Sequence, residues 1–463
     1  MKKLIGTKEF YHHLLVIVLP ILIQNAITNF VGMLDNIMVG RIGTNQMSGV
    51  SVVNQLLFVF NLCIFGAIAG AGIFSAQFYG QKNHEGIRET FRFKLIVVLL
   101  LAAIGLTVFL TLDRELISLY LHEGSESDKA AVMASARSYL KVMLIQLLPF
   151  GLTQSYSGTL RECDDTLVPM KAGITAVFVN LALNYILIYG KFGAPALGVV
   201  GAAIATVISR FVELLIVMIY AHTHSERHPF IHGAYRSMHI SGPLLRNIIL
   251  KGMPLLLNEG LWSSGQAILT QNYSVRGLDV IAALNISSTV SNVFNMIFIS
   301  MGNAIAIIVG QELGARNPEV REDANRLTFT AVIACVISGL LLVCMARPFP
   351  YLYNTEQQVR DLATQIILIA GCFMPMYAYL NSAYFILRSG GKTIITFLFD
   401  SVFLWVVSIP VSYVLSRRTG IPLVPMYIIV QCLELLKCAL GAFLLHKGVW
   451  VQDITQVDQP RKA

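Results

Sequence analysis

Charge is scarce in this chain. Asp, Glu, Lys and Arg make up 13% of its 463 residues, against about a quarter in a soluble domain. That shortage excludes a water-soluble globule. With 55% hydrophobic residues, the chain reads as an integral membrane protein. Cysteine is also sparse and unpatterned: Cys63, Cys163, Cys335, Cys344, Cys372, Cys432 and Cys438 lie in apolar runs without a C-x-x-C. This spacing argues against a disulfide framework and a zinc site. The chain has no G-x-S-x-G, no Walker A loop, no H-E-x-x-H and no haem attachment motif. Nothing therefore points to an enzyme or to a cofactor. Without a nucleotide-binding element, any uphill work must draw on an ion gradient.

What the chain does have is length without charge. Apolar runs long enough to cross about 30 Å of hydrocarbon occur near 12–38, 46–75, 93–112, 131–158, 168–189, 197–221, 247–272, 280–310, 327–346, 362–386, 393–415 and 422–446. The first run is too long for a cleaved signal peptide and stays as a span. With the N-terminus in the cytoplasm, Lys and Arg concentrate on the inner loops, as in Arg227/Arg236/Arg246/Lys251 and Arg316/Arg321/Arg326. The positive-inside rule thus accounts for the net charge of +8 without a nucleic-acid partner. Both termini are expected in the cytoplasm and the protein in the plasma membrane, a bacterial inner membrane.

A shift of 234 residues aligns 20–83 with 254–317 without a gap. It pairs Pro20, Gly43, Phe60, Asn61, Gln77, Gly80 and Asn83 with Pro254, Gly277, Phe294, Asn295, Gln311, Gly314 and Asn317. The shared Q-x-x-G-x-x-N is its sharpest part. The chain is an internal duplication. Its fold class is an all-α polytopic membrane protein of twelve helices, with two six-helix lobes related by a pseudo-two-fold axis along the membrane normal. The expected domains are an N-lobe at 1–222, a cytoplasmic linker at 223–246 and a C-lobe at 247–463. The linker histidines (222, 224, 228, 232 and 239) are read as a solvated loop rather than a metal site.

Polar residues inside the spans carry the functional reading. Gln24, Thr28, Gly32 and Asp35 fall on one helical face. An intramembrane charge costs roughly 2.5–3.5 kcal/mol on insertion scales and is seldom kept without a use. The alternative is a carboxylate near a helix end that reaches the interface. Asn180 and Asn184 stand one turn apart. In the second half Glu259, Ser263, Gln266 and Thr270 share a face, as do Asn285, Ser288, Asn292 and Asn303. Such amides need partners in lipid. The stripes together predict a water-filled central cleft, with Asn54, Asn61, Asn285 and Asn292 pointing into it. Arg210 with Glu213, and Glu434 with Lys437, are spaced to pair locally. Asp400 lacks such a neighbour and is a weaker candidate. Tyr377 lies among Met374, Met376, Tyr379 and Tyr384 around Pro375, a surface suited to flat cations or to packing at a proline kink.

These residues resemble the multidrug and toxic compound extrusion (MATE) family, in parts its NorM-like branch. The resemblance rests on G-M-L-D-N-I-M-V-G around Asp35, Q-F-Y-G-Q-K-N and its echo Q-E-L-G-A-R-N. It also rests on N-L-A-L-N-Y-I-L-I-Y-G and G-A-P-A-L-G-V-V-G-A-A-I-A-T. It implies a secondary antiporter that exports organic cations or other amphipathic compounds in exchange for H⁺ or Na⁺ by alternating access. Asp35 then matches the cation-coupling carboxylate, with Asn180, Asn184 and Thr206 as partners, and Na⁺ would sit at Asp35, Asn180 and Asn184. Some members carry Asp where Asn184 stands. Glu259, Gln266, Asn285, Asn292 and Tyr377 are the substrate candidates of the second lobe. Expected partners are small organic cations and membrane lipids, with no obligate protein partner. A flippase for lipid-linked oligosaccharides is the alternative, although its anionic substrate would call for a basic cleft.

Overall fold

A computed structural model of the protein describes residues 5–121 and 125–455. Among the described residues the regular structure is entirely helical. Twelve long helices succeed one another: α1 (Lys8–Gly40), α2 (Thr44–Gly80), α3 (His84–Thr111), α4 (Glu126–Glu162), α5 (Leu167–Tyr189) and α6 (Val199–Thr223), then α7 (Gly242–Ser274), α8 (Leu278–Gly314), α9 (Val320–Met345), α10 (Gln357–Ser389), α11 (Thr393–Arg418) and α12 (Leu423–Lys447). Each predicted run coincides with one helix. Eleven are apolar enough to span a bilayer. The remaining one, α7, is 33 residues long but carries Asn258, Glu259, Gln266, Gln271 and Asn272, which lower its hydropathy.

Lipid explains both the regularity and the outer faces. Backbone groups in hydrocarbon must be paired within their own helix. Large apolar side chains stay exposed on the helix surfaces, for example Leu100 and Ile104 on α3 and Leu340 and Leu341 on α9. In water such faces would be aggregation sites; in a membrane they meet acyl chains. Two helices depart from regularity. A 3-10 turn at Leu144–Gln146 interrupts α4 just ahead of Pro149. In α11, π-helical turns at Leu398–Val402 and Leu404–Ser408 precede Pro410, whose missing N–H breaks the ordinary ladder.

The chain forms two compact units. One comprises Leu19–Ser75 and Asn83–Ile248. The other comprises the described residues up to Val18, Ala76–Lys82 and the chain from Ile249 onward. In the first, α5 packs on α6, and α4 on α3 and α6. In the second, α10 is central and packs on α8, α9 and α12.

The Q-x-x-G-x-x-N repeat has a structural meaning. Gly80 and Gly314 lie where the last turn of α2 crosses the end of α8, each against the backbone of the other helix. Lys82 and Arg316, 234 residues apart, are both left-handed, with φ of 57° and 55°. Asn83 then caps α3 through Oδ1, which accepts from Gly86 N at 3.0 Å. Asn317 Oδ1 accepts from Glu319 N at 3.0 Å. Gln77 holds the C-terminal segment: its Nε2 donates to Gln452 O at 3.2 Å and its Oε1 accepts from Ile454 N at 2.9 Å. The duplication therefore extends to the backbone.

The end of α6 and the segment after it leave His222, His224, His232 and His239 exposed, as expected of a solvated loop, but part of the segment is packed against the helices. Arg92 of α3 donates to the carbonyls of Gly233, Ala234 and His239 at 2.8, 2.9 and 3.1 Å. Phe230 packs edge-on against Phe91 and is 1% exposed. His228 is buried, with Nε2 3.2 Å from Asp165 Oδ2. Carbonyls held by a fixed guanidinium fork explain why so polar a stretch is ordered. Burial pushes the Asp165 carboxyl up, but hydrogen bonds from His228 and Tyr220 and the Arg227 charge outweigh it and hold the group below the usual carboxylate range. A depressed carboxylate contributes stability above its unfolded pKa of about 4, and that contribution fades as pH falls through the folded value. Asp165→Asn should therefore make the 224–241 segment more sensitive to limited proteolysis at pH 7, with the difference from wild type shrinking only as pH falls below about 4. Equal cleavage at pH 7 would show that Asp165 does not anchor the segment.

Candidate functional site

Asp35 lies near the end of α1, facing α5 and α6. Asn184 Nδ2 donates to Asp35 Oδ1 at 2.8 Å. Asn180 sits one turn earlier on α5, beside Thr206 of α6. Two orientations of its amide fit the same positions. With nitrogen toward the carboxylate, Asn180 donates to Asp35 Oδ2 at 2.8 Å and Oδ1 at 3.1 Å, and its oxygen accepts from Thr206 Oγ1 at 3.2 Å. This arrangement suits an ionised Asp35. With oxygen toward the carboxylate, Asn180 Oδ1 accepts from Asn184 Nδ2 at 3.0 Å and its Nδ2 donates to Thr206 Oγ1 at 3.2 Å. Oxygen then faces oxygen, which requires a proton or a cation between them. Asn184 Oδ1 is buried and, among the described residues, has no hydrogen-bond partner, a further oxygen free to serve a cation. The structure thus brings Asp35, Asn180, Asn184 and Thr206 into one cluster, 149 residues separating its carboxylate from Asn184.

Sequence reasoning missed the surroundings of this cluster. Tyr139 of α4 is 4% exposed and its hydroxyl donates to Asn54 Oδ1 of α2 at 3.4 Å. One turn from Thr206, Arg210 pairs with Glu213 at 2.9 Å, as the spacing predicts, and lies over the Phe150 ring. Gln24, placed on the Asp35 stripe, is engaged by Arg161 of α4, whose Nη2 donates to Oε1 at 2.8 Å. Adjacent Glu162 pairs with the buried Lys94, which also donates to Thr159 at 3.0 Å. A lone tyrosine in an apolar run, or an arginine just past its end, gives no signal of its own in the sequence.

The second-half candidates are not brought together. Glu259 is half-buried and, among the described residues, makes no hydrogen bond or ion pair. Gln266, Asn285 and Asn292 are exposed on their helices, and Asn54 likewise, with Asn61 half-buried. Tyr377 is engaged elsewhere, its hydroxyl donating to Gln431 Oε1 of α12 at 2.5 Å. It is Asn258, the neighbour of Glu259, that is packed inward at 3% exposure. Asn258 donates to Asp400 Oδ2 at 3.1 Å and accepts from Ser401 Oγ at 2.6 Å. Asp400 therefore does have a partner, but across helices. Lys437 reaches it at 3.5 Å while pairing with Glu434 at 2.8 Å, and sits 5.6 Å from the rings of Phe399 and Phe403. Here a lysine pairs directly with the carboxylate, whereas among the described residues no cation forms an ion pair with Asp35.

Removing Lys437 leaves two carboxylates in low dielectric without their counter-charge, a loss on the order of 3–5 kcal/mol for a buried pair. Lys437→Met should lower the thermal midpoint strongly in detergent, and adding Asp400→Asn should recover part of it. A single variant as stable as wild type would mean that the ammonium is not the structural counter-ion.

The cluster is a carboxylate held by neutral amides inside a duplicated membrane chain of twelve long helices. The family model MatE matches residues 20–186 and 254–414, one match per half, beginning 234 residues apart like the repeats. The chain belongs to this family, the MATE transporters. It is 24% identical over 446 residues to the probable multidrug resistance protein NorM of Thermotoga maritima, covering 96% of this chain and 93% of that one. It is 26% identical over 420 residues to the probable multidrug resistance protein YoeA of Bacillus subtilis, covering 88% of each. Among solved structures, one described as the outward-facing conformation of a multidrug resistance MATE family transporter of the MOP superfamily aligns with TM-score 0.83 at 18% identity over 97% of both chains.

Proposed function

We propose that the protein exports organic cations or other amphipathic compounds by antiport against H⁺ or Na⁺, with Asp35 as the coupling carboxylate. The observation that carries this reading is the Asp35–Asn180–Asn184–Thr206 cluster, one acid among neutral groups whose amides can present either donors or oxygens to it. An exchanging ion changes the charge of Asp35, and that change alters the energy of burying it. The ion can thereby favour one conformation of the transporter over another. Relatives named as multidrug resistance proteins support the substrate class. The distribution of Lys and Arg supports a plasma-membrane orientation with both termini cytoplasmic.

The test is efflux of a fluorescent cation from vesicles holding the purified protein. One arm imposes a pH gradient without Na⁺, the other a Na⁺ gradient at equal pH. Export in either arm assigns the ion. Export in neither arm, with the protein folded and inserted, removes the antiport reading.

A further inference from the structure

We infer that a slot between α9 and α12 binds a single anionic phospholipid. The slot is a cavity of about 500 Å³. Arg321 and Asn325 near the start of α9 and His446 near the end of α12 line one end of it, and Phe329 and Val332 line it further along α9. Arg321 and Val332 are eleven residues apart, about 16 Å along a helix. The slot is therefore long, basic at one end and apolar at the other, matching a phosphate headgroup followed by an acyl chain.

The basic end is built rather than incidental. Arg321 packs against Gly448, whose left-handed φ of 67° ends α12. A Cβ there would overlap the guanidinium, so only glycine leaves that seat open. Among the described residues no carboxylate lines the slot, and none pairs with Arg321. Trp450 is 2% exposed and closes the wall, its Nε1 donating to Leu445 O at 3.3 Å. A guanidinium without a carboxylate is a bidentate phosphate ligand in waiting. Basic pockets between membrane helices take anionic headgroups by this chemistry. The same sign disfavours a cationic substrate, which sets the slot apart from the Asp35 cluster.

The apolar end decides between a lipid and free phosphate. Phe329 begins an exposed stripe that continues through Ile333, Val336 and Leu340 on α9, and α12 exposes Leu436, Leu440 and Phe443. These faces meet the bilayer, so the slot fills from it.

Native mass spectrometry and thermal unfolding of the full-length protein test this directly. Wild type, exposed to phosphatidylcholine with and without phosphatidylglycerol, should retain one phosphatidylglycerol through delipidating detergent and melt higher when that lipid is present. Arg321→Gln combined with His446→Gln should lose both effects, while Arg321→Lys should keep them in part. Arg417→Gln, on α11, should behave as wild type. If the double variant does not fold, Val332→Trp fills the apolar end and should expel the lipid with Arg321 intact. Unchanged retention and melting in the double variant, or in Val332→Trp, would overturn the proposal. A melting shift reproduced by soluble glycerol phosphate would also overturn it, since the ligand would then be a free phosphate.

Discussion

Asparagine at position 35 should give a protein that folds and inserts normally and has lost gradient-driven export. The substitution keeps the shape of the side chain and an oxygen to accept the 2.8 Å bond from Asn184. It fixes the charge at zero, so neither a proton nor Na⁺ can be exchanged at that site. One charge moving through 100 mV provides about 2.3 kcal/mol, enough for a concentration ratio of roughly 50. Wild-type vesicles should approach such ratios of a fluorescent cation. Vesicles with Asp35→Asn should level off near equal concentrations on the two sides. Accumulation by the variant with unchanged ion dependence would remove Asp35 from the coupling role.

Any side chain at Gly314 should destabilise the protein, the more so the larger it is. A Cβ built there falls onto the backbone carbonyl of Gln77, and one at Gly80 falls onto that of Gln311. Backbone cannot rotate aside as a side chain can, so the crossing of the α2 and α8 ends must open. Overpacking of this kind costs about 1–3 kcal/mol for a small group and more for a branched one. Gly314→Ala should lower the thermal midpoint, and Gly314→Val should leave little monodisperse protein on size-exclusion chromatography. Gly260→Ala is the matched control, because nothing lies within 4 Å of a Cβ at that helical position. Wild-type melting by Gly314→Ala would mean that the crossing is loose and the shared motif has another cause.

Much of the first-half site was legible before any coordinates. Asn180 and Asn184 share a face because the helical period is local, and Asp35 stands out because charge is rare in its span. Thr206 came with the family resemblance, not from spacing. The second half shows where pattern reasoning stops. Successive residues on a helix point 100° apart, and Pro254 lies only four residues before Asn258 inside α7. Periodicity could not decide whether Asn258 or Glu259 faced the packed side, and the packed residue is Asn258. The packed part of the 224–241 segment was missed for a similar reason. Its polarity is real, but Arg92 lies more than a hundred residues upstream, and only the fold brings it to those carbonyls.

By itself the sequence determined the membrane class, the twelve helices, the duplication and the candidate carboxylate. Those follow from local hydropathy and repetition, because lipid leaves the backbone no option but to pair within each helix. Tertiary structure decided which polar groups meet: Arg161 with Gln24 across 137 residues, Asn54 with Tyr139 across 85, and Lys437 with Asp400 rather than with Glu434 alone. Inside a bilayer every such group needs a partner, but any partner within reach satisfies it. Packing therefore selects among pairings that the order of residues leaves equivalent.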